Sequence, residues 1–164
     1  MQTHWEFIAD CLRQELADYG GLLHLFEQQQ RSLFNRDPEA VIHFASEIEV
    51  QAFSLADCRN RREQAVAAFA VERGQPATMS LRALLPHIAD DARPLLEALI
   101  NEVNALLHRV RRVSRHNHTL LSRAVQVHQE TLAVLRPHAF TKTYSPAGRV
   151  SMATRPPATL RAAG

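Results

Sequence analysis

Along the last third of the chain, Leu99, Val103, Leu106, Val110, Val113, Asn117, Leu120, Ala124, Val127, Thr131 and Val134 follow one another at alternating steps of four and three. That spacing is a heptad a/d seam held for roughly five heptads, the signature of a helix packed lengthwise against other helices. The pattern predicts a helix from near Ala92-Arg93-Pro94 to Arg136, where Pro137 stops it. At 1.5 Å per residue such a helix is roughly 60 Å long, which predicts an elongated molecule. Asn117 is a polar intrusion on the seam; in that position an amide costs stability and fixes register.

Two earlier segments share the helical period. The first runs from about His4 to Phe34, with Trp5, Ile8, Leu12, Leu16, Tyr19, Leu23, Phe26 and Leu33 on one stripe. Gly20-Gly21 lies inside it and predicts a kink or a close helix approach, since glycine costs about 1 kcal/mol against alanine in a helix. After the short link Asn35-Arg36-Asp37, Asp37 and Pro38 read as N-cap and N1 of a second helix to about Arg73, stopped by Gly74 and Pro76. Its inward set is Val41, Phe44, Ile48, Leu55, Cys58, Val66 and Phe69. So short a link makes the two helices antiparallel neighbours. Ser80 caps a short connecting helix, Leu81 to about Asp90, which Pro86 is placed to split. The expected architecture is all-α: an elongated antiparallel bundle of three long helices plus the connecting helix, over 1–136. A tail, 137–164, follows, without apolar periodicity and disordered when free.

Composition narrows the function classes. Net charge is +2 with 46% hydrophobic and 22% charged residues, ordinary for a soluble domain and too mild to imply a nucleic-acid or membrane-surface partner. The N-terminus has no basic-then-apolar leader pattern, and the longest apolar run, Ala65 to Val71, is far below the roughly 20 residues of a membrane span, so the chain reads as cytoplasmic. Cys11 and Cys58 fall within helical patterns and read as buried reduced thiols.

Candidate chemistry is thin. The nine histidines include no helical pair at zinc spacing, and neither a nucleophile–base pattern nor a phosphate loop is present, so no enzyme activity, small-molecule substrate, metal or cofactor is expected. Arg109, Arg111, Arg112 and Arg115 form a basic patch, but Val110 and Val113 interleave at seam positions, which favours a solvated helix face over nucleic-acid binding. The end of the long helix differs. Leu121, Val125, Leu132 and Leu135 fall beside the seam and widen its apolar stripe. A stripe wider than a bundle needs is either a well-covered core or a ridge for a partner helix.

The stretches Ser114–Leu121, Gln129–His138 and Thr143–Ser151 resemble the C-terminal signature of the FlgN family of flagellar type III export chaperones. The common pattern is an asparagine followed by a leucine pair, an LxVLxPH-like helix end, and a tyrosine turn leading to glycine and serine. The resemblance implies a cytoplasmic protein that binds hook-associated proteins, keeps them from aggregating and delivers them to the cytoplasmic domain of the export gate. It assigns the export substrate to Asn117, Leu120, Leu121, Val125, Leu132 and Leu135, and the gate to Tyr144 and Gly148. This chain carries Ser145 and Ala147 where the family usually has glycine and an acid; Ser145-Pro146-Ala147-Gly148 still reads as a β-turn. The competing reading is a helical-bundle adaptor that self-associates through the long helix, and weak self-association is compatible with either.

Overall fold

The computed structural model describes residues 4–135, 140–144 and 150–154, the last two stretches by their backbone. Its helices are α1 (His4–Phe34), α2 (Pro38–Glu72), the single turn α3 (Leu81–Leu84) running into a 3₁₀ turn at Leu85–His87, and α4 (Arg93–Leu135). The residues form two compact units, Met1–His118 and Thr119–Gly164.

In the first unit the helix ends are where the local chemistry puts them. Asp37 caps α2 by accepting from the Ala40 amide at 3.0 Å, with Pro38 at the first turn. Two Schellman-type turns close α1 and α2. Asp37 N–H reaches Ser32 O at 3.0 Å across Arg36, and Gln75 N–H reaches Ala70 O at 2.8 Å across Gly74. Both turns need one left-handed residue. Gly74 adopts φ 69° freely, whereas Arg36 is held at φ 57° despite its Cβ.

The three long helices run up, down and up. His4 Nδ1 lies 2.5 Å from Glu72 Oε2, joining the start of α1 to the end of α2. Asn117 of α4 reaches Phe26 and Gln29 of α1, so α4 runs alongside α1 and antiparallel to α2. The core is built from Ile8, Leu12, Tyr19 and Leu23 of α1, Leu55, Cys58, Val66 and Phe69 of α2, and Leu96, Leu99, Val103 and Val110 of α4. The connecting segment contributes more than its length suggests. Leu81, Leu84, Leu85, Ile88 and Ala92 are all buried, and Arg93 ties the turn down by donating to Leu85 O at 3.0 Å and Ile88 O at 3.3 Å. Pro86 does split this segment, since the α-helical turn ends at Leu84.

The paired glycines lie inside a continuous helix and leave room for a side chain. α1 is unbroken through Gly20 and Gly21. A methyl group at Gly20 would meet nothing within 4 Å, and one at Gly21 would make ordinary contact with Gln51. Polar groups are also buried. Glu15 is sealed between α1 and α2 and bonded by Arg62 Nε, and Asp18 accepts from Gln14 at 3.0 Å and Gln51 at 3.3 Å.

The all-α reading holds for the helical body, but the tail also contains strands. β1 (Phe140–Tyr144) pairs antiparallel with β2 (Val150–Thr154), Phe140 opposite Thr154 and Tyr144 opposite Val150. Threonine, phenylalanine, tyrosine and valine favour extended backbone, and five-residue strands are too short to stand out as a period-two pattern.

Candidate functional site: the exposed end of the long helix

The character of α4 changes after Asn117. Up to that residue its inward side chains belong to the core; Leu96 is fully buried and Asn117 is 3% exposed. Leu120 is half-buried, and every residue from Leu121 to Leu135 is exposed. The apolar side chains do not thin out to match. Leu121, Val125, Val127, Leu132, Val134 and Leu135 are between 42% and 80% exposed, with Val134 at the upper limit.

Helix geometry explains the width of this surface. An ideal helix turns about 100° per residue, so a strict heptad seam drifts about 20° per heptad unless the helix supercoils around partners. Over its length the seam rotates by roughly 100°. Within the exposed turns Val127, Thr131 and Val134 form one row, and Leu121, Val125, Leu132 and Leu135, assigned from the sequence as flanking residues, form a second row beside it. Together the two rows span about half the helix circumference, wider than the roughly 100° arc that covers a core. Ser122, Arg123, Gln126, Gln129 and Glu130 take the other half, where Gln126 Nε2 donates to Glu130 Oε1 at 2.9 Å.

Two polar residues interrupt the apolar half, and the helix itself absorbs both. Thr131 Oγ1 donates to Val127 O at 2.8 Å, and His128 Nδ1 donates to Ala124 O at 3.0 Å. Val127, Glu130, Thr131, Val134 and Leu135 line an open depression of about 310 Å³. The chemistry of the surface is that of an apolar ridge able to cover another amphipathic helix.

The residues assigned from sequence separate into three groups. Leu121, Val125, Leu132 and Leu135 lie on the exposed surface, with Leu120 at its edge. Asn117 does not. Its Nδ2 donates to Phe26 O at 2.7 Å and to Gln29 Oε1 at 3.2 Å, and its side chain is buried between α4 and α1 rather than on the exposed surface. Tyr144 closes β1 opposite Val150, while Gly148 and the expected turn lie outside the described residues. Sequence reading placed Val127 and Val134 on the seam and did not single them out as surface residues, because periodicity does not show where the covering neighbours end.

Elsewhere the titratable groups are structural. Burial pushes the Cys11 and Cys58 thiols up, and both are free cysteines, with Cys58 Sγ 3.5 Å from Cys11 O. Burial likewise raises the Tyr19 phenol, opposed by the nearby Arg59. Arg109, Arg111, Arg112 and Arg115 are exposed beside buried Val110. Among the described residues no group of three His, Cys, Asp or Glu side chains converges on a metal-sized site, and no helix is long and apolar enough to cross a membrane.

One family model, described as FlgN protein, matches residues 1–151. No curated protein and no solved structure matches the chain.

Proposed function

The chain belongs to the FlgN family, and on that premise we propose that the apolar surface of α4 from Leu120 to Leu135 holds the cargo while Tyr144 and Gly148 engage the export gate. FlgN proteins are non-enzymatic, cytoplasmic flagellar export chaperones for hook-associated proteins. The observation that carries the proposal is the row Leu121, Val125, Leu132 and Leu135, exposed on a helix whose preceding turns bury the same apolar pattern.

The physical task is to cover an apolar helix face of the cargo without folding it irreversibly. The exposed apolar surface of the ridge is on the order of 500 Å². At roughly 25 cal/mol per Å² that gives a gross gain of about 12 kcal/mol, much of it offset by association and ordering costs of about 4–15 kcal/mol. At the low end of that cost about 8 kcal/mol remains, a micromolar complex that can still be released at the gate. Capture needs no cofactor, because all of the driving force is burial. α4 ends at Leu135, so the gate contact at Tyr144 falls on a separate element of the chain.

Tyr144→Ala tests the division of labour. Co-purification with a hook-associated protein is expected to persist while binding to the cytoplasmic domain of the gate falls. Equal loss of both contacts would contradict separate roles, and failure of the wild-type chain to retain any hook-associated protein would contradict the reading as a whole.

A further inference from the structure

The side of α2 that faces away from the core carries a second apolar stripe. Ile42, Val50 and Phe53 are 71%, 68% and 71% exposed. At about 100° per residue they fall within about 80° of one another, opposite the direction of Phe44, Gln51 and Cys58. No core needs them there. They make the first half of α2 apolar on two opposite faces.

The charges along the first half of the stripe are acidic, and the one acid at its far end, Asp57, is paired with Arg61 at 3.1 Å. From residue 37 to residue 58 the chain carries Asp37, Glu39, Glu47, Glu49 and Asp57 and no lysine or arginine, although basic residues outnumber acidic ones overall, 19 to 17. Glu39, Glu47 and Glu49 are exposed and form no ion pair among the described residues. On the helix surface Glu39 stands at the start of the stripe and Glu49 flanks it, while Asp57 at its far end is held by Arg61. Apposing this face to its own copy would bring like charges together, which opposes self-association. A complementary occupant is apolar along its centre and basic at its margins.

We propose that the outward face of α2 between Glu39 and Asp57 is a docking surface for an amphipathic helix whose apolar stripe is flanked by lysine or arginine. This surface lies on a different helix from the cargo ridge and bears the opposite charge preference to the arginine-rich stretch of α4. Its apolar area, on the order of 350 Å², suits a weak, transient and salt-sensitive contact.

Fluorescence anisotropy of a labelled helical peptide of about 18 residues, leucine on one face and lysine elsewhere, tests the proposal against the full chain. A peptide with glutamate in place of every lysine is the comparison. The lysine peptide is expected to bind with micromolar affinity and the glutamate peptide about tenfold more weakly or worse. Ile42→Ser with Phe53→Ser is expected to weaken the lysine peptide about tenfold, and Glu39→Gln with Glu47→Gln and Glu49→Gln to remove most of its salt dependence. All of these positions are exposed, so circular dichroism should show the helices retained, with melting lowered only by the small helix-propensity and first-turn charge costs of the changes. Leu121→Ser with Val125→Ser should leave the affinity where it was. Equal binding of the two peptides overturns the proposal, as does lysine-peptide affinity that survives the α2 changes. A wild-type dimer that Ile42→Ser with Phe53→Ser converts to monomer overturns it too, because the face would then join two copies of the chain.

Discussion

Leu132→Ser isolates the role of the α4 ridge. Leu132 is 47% exposed and contributes nothing to the core cluster of the helical body. The exposed part of its side chain is on the order of 80 Å², and burying it beneath a cargo helix contributes about 2 kcal/mol. Losing that contribution raises Kd about thirtyfold. The cost to the free chaperone is only that of serine in an exposed helix, about 0.5 kcal/mol. Isothermal titration with the helical terminal segment of a hook-associated protein measures the first quantity, and a thermal melt the second. Gln126→Ser, on the polar half of the same helix, is the matched control and should leave Kd unchanged. A Leu132→Ser affinity within about twofold of wild type, or equal weakening by Gln126→Ser, refutes the assignment of this face to cargo.

Other expectations concern the scaffold. Asn117→Ala should cost about 1–2 kcal/mol of stability in denaturant melts, since it unpairs Gln29, yet leave cargo affinity within about twofold where both proteins are folded. Arg36→Gly should raise stability by about 1 kcal/mol, because only the Cβ opposes the left-handed conformation there, and the melting temperature should rise accordingly. Arg62→Met should lower stability by about 3 kcal/mol by leaving the buried Glu15 without its cation, whereas replacing both residues by apolar ones should recover most of the loss. Alkaline titration should destabilise the fold. Burial keeps Cys11, Cys58 and Tyr19 protonated in the native state while the unfolded chain releases those protons, so their stabilisation is full below the ordinary thiol value of 9.0 and is lost as pH rises through the raised values. Urea midpoints from pH 7 to 11 measure the decline.

Much of the body was legible because its punctuation is local. Asp37-Pro38, Gly74 and Ser80 mark helix ends through short-range hydrogen bonds and φ preferences, and the structure places the ends there. The apolar stripes of α1 and α2 likewise identified most of the core. What escaped was set by tertiary partners. Glu15 and Asp18 look like surface residues until Arg62 and Gln51 of α2 close over them. Arg36 carries no sequence mark of its left-handed backbone, because the turn that demands it is defined by Ser32 and Asp37 together. The ridge was half legible. Its apolar residues stood out, but whether they were covered depended on neighbours that periodicity does not reveal. The same pattern that buries Val103 and Val110 leaves Val127 and Val134 in solvent.

Hydrogen exchange of the full chain, free and saturated with a hook-associated protein, tests the central claim most directly. The account predicts that amides across 119–135 gain protection on binding, while those of α1 and the buried half of α4 keep the rates of the free protein. Protection that appears elsewhere and leaves 119–135 unchanged would contradict it.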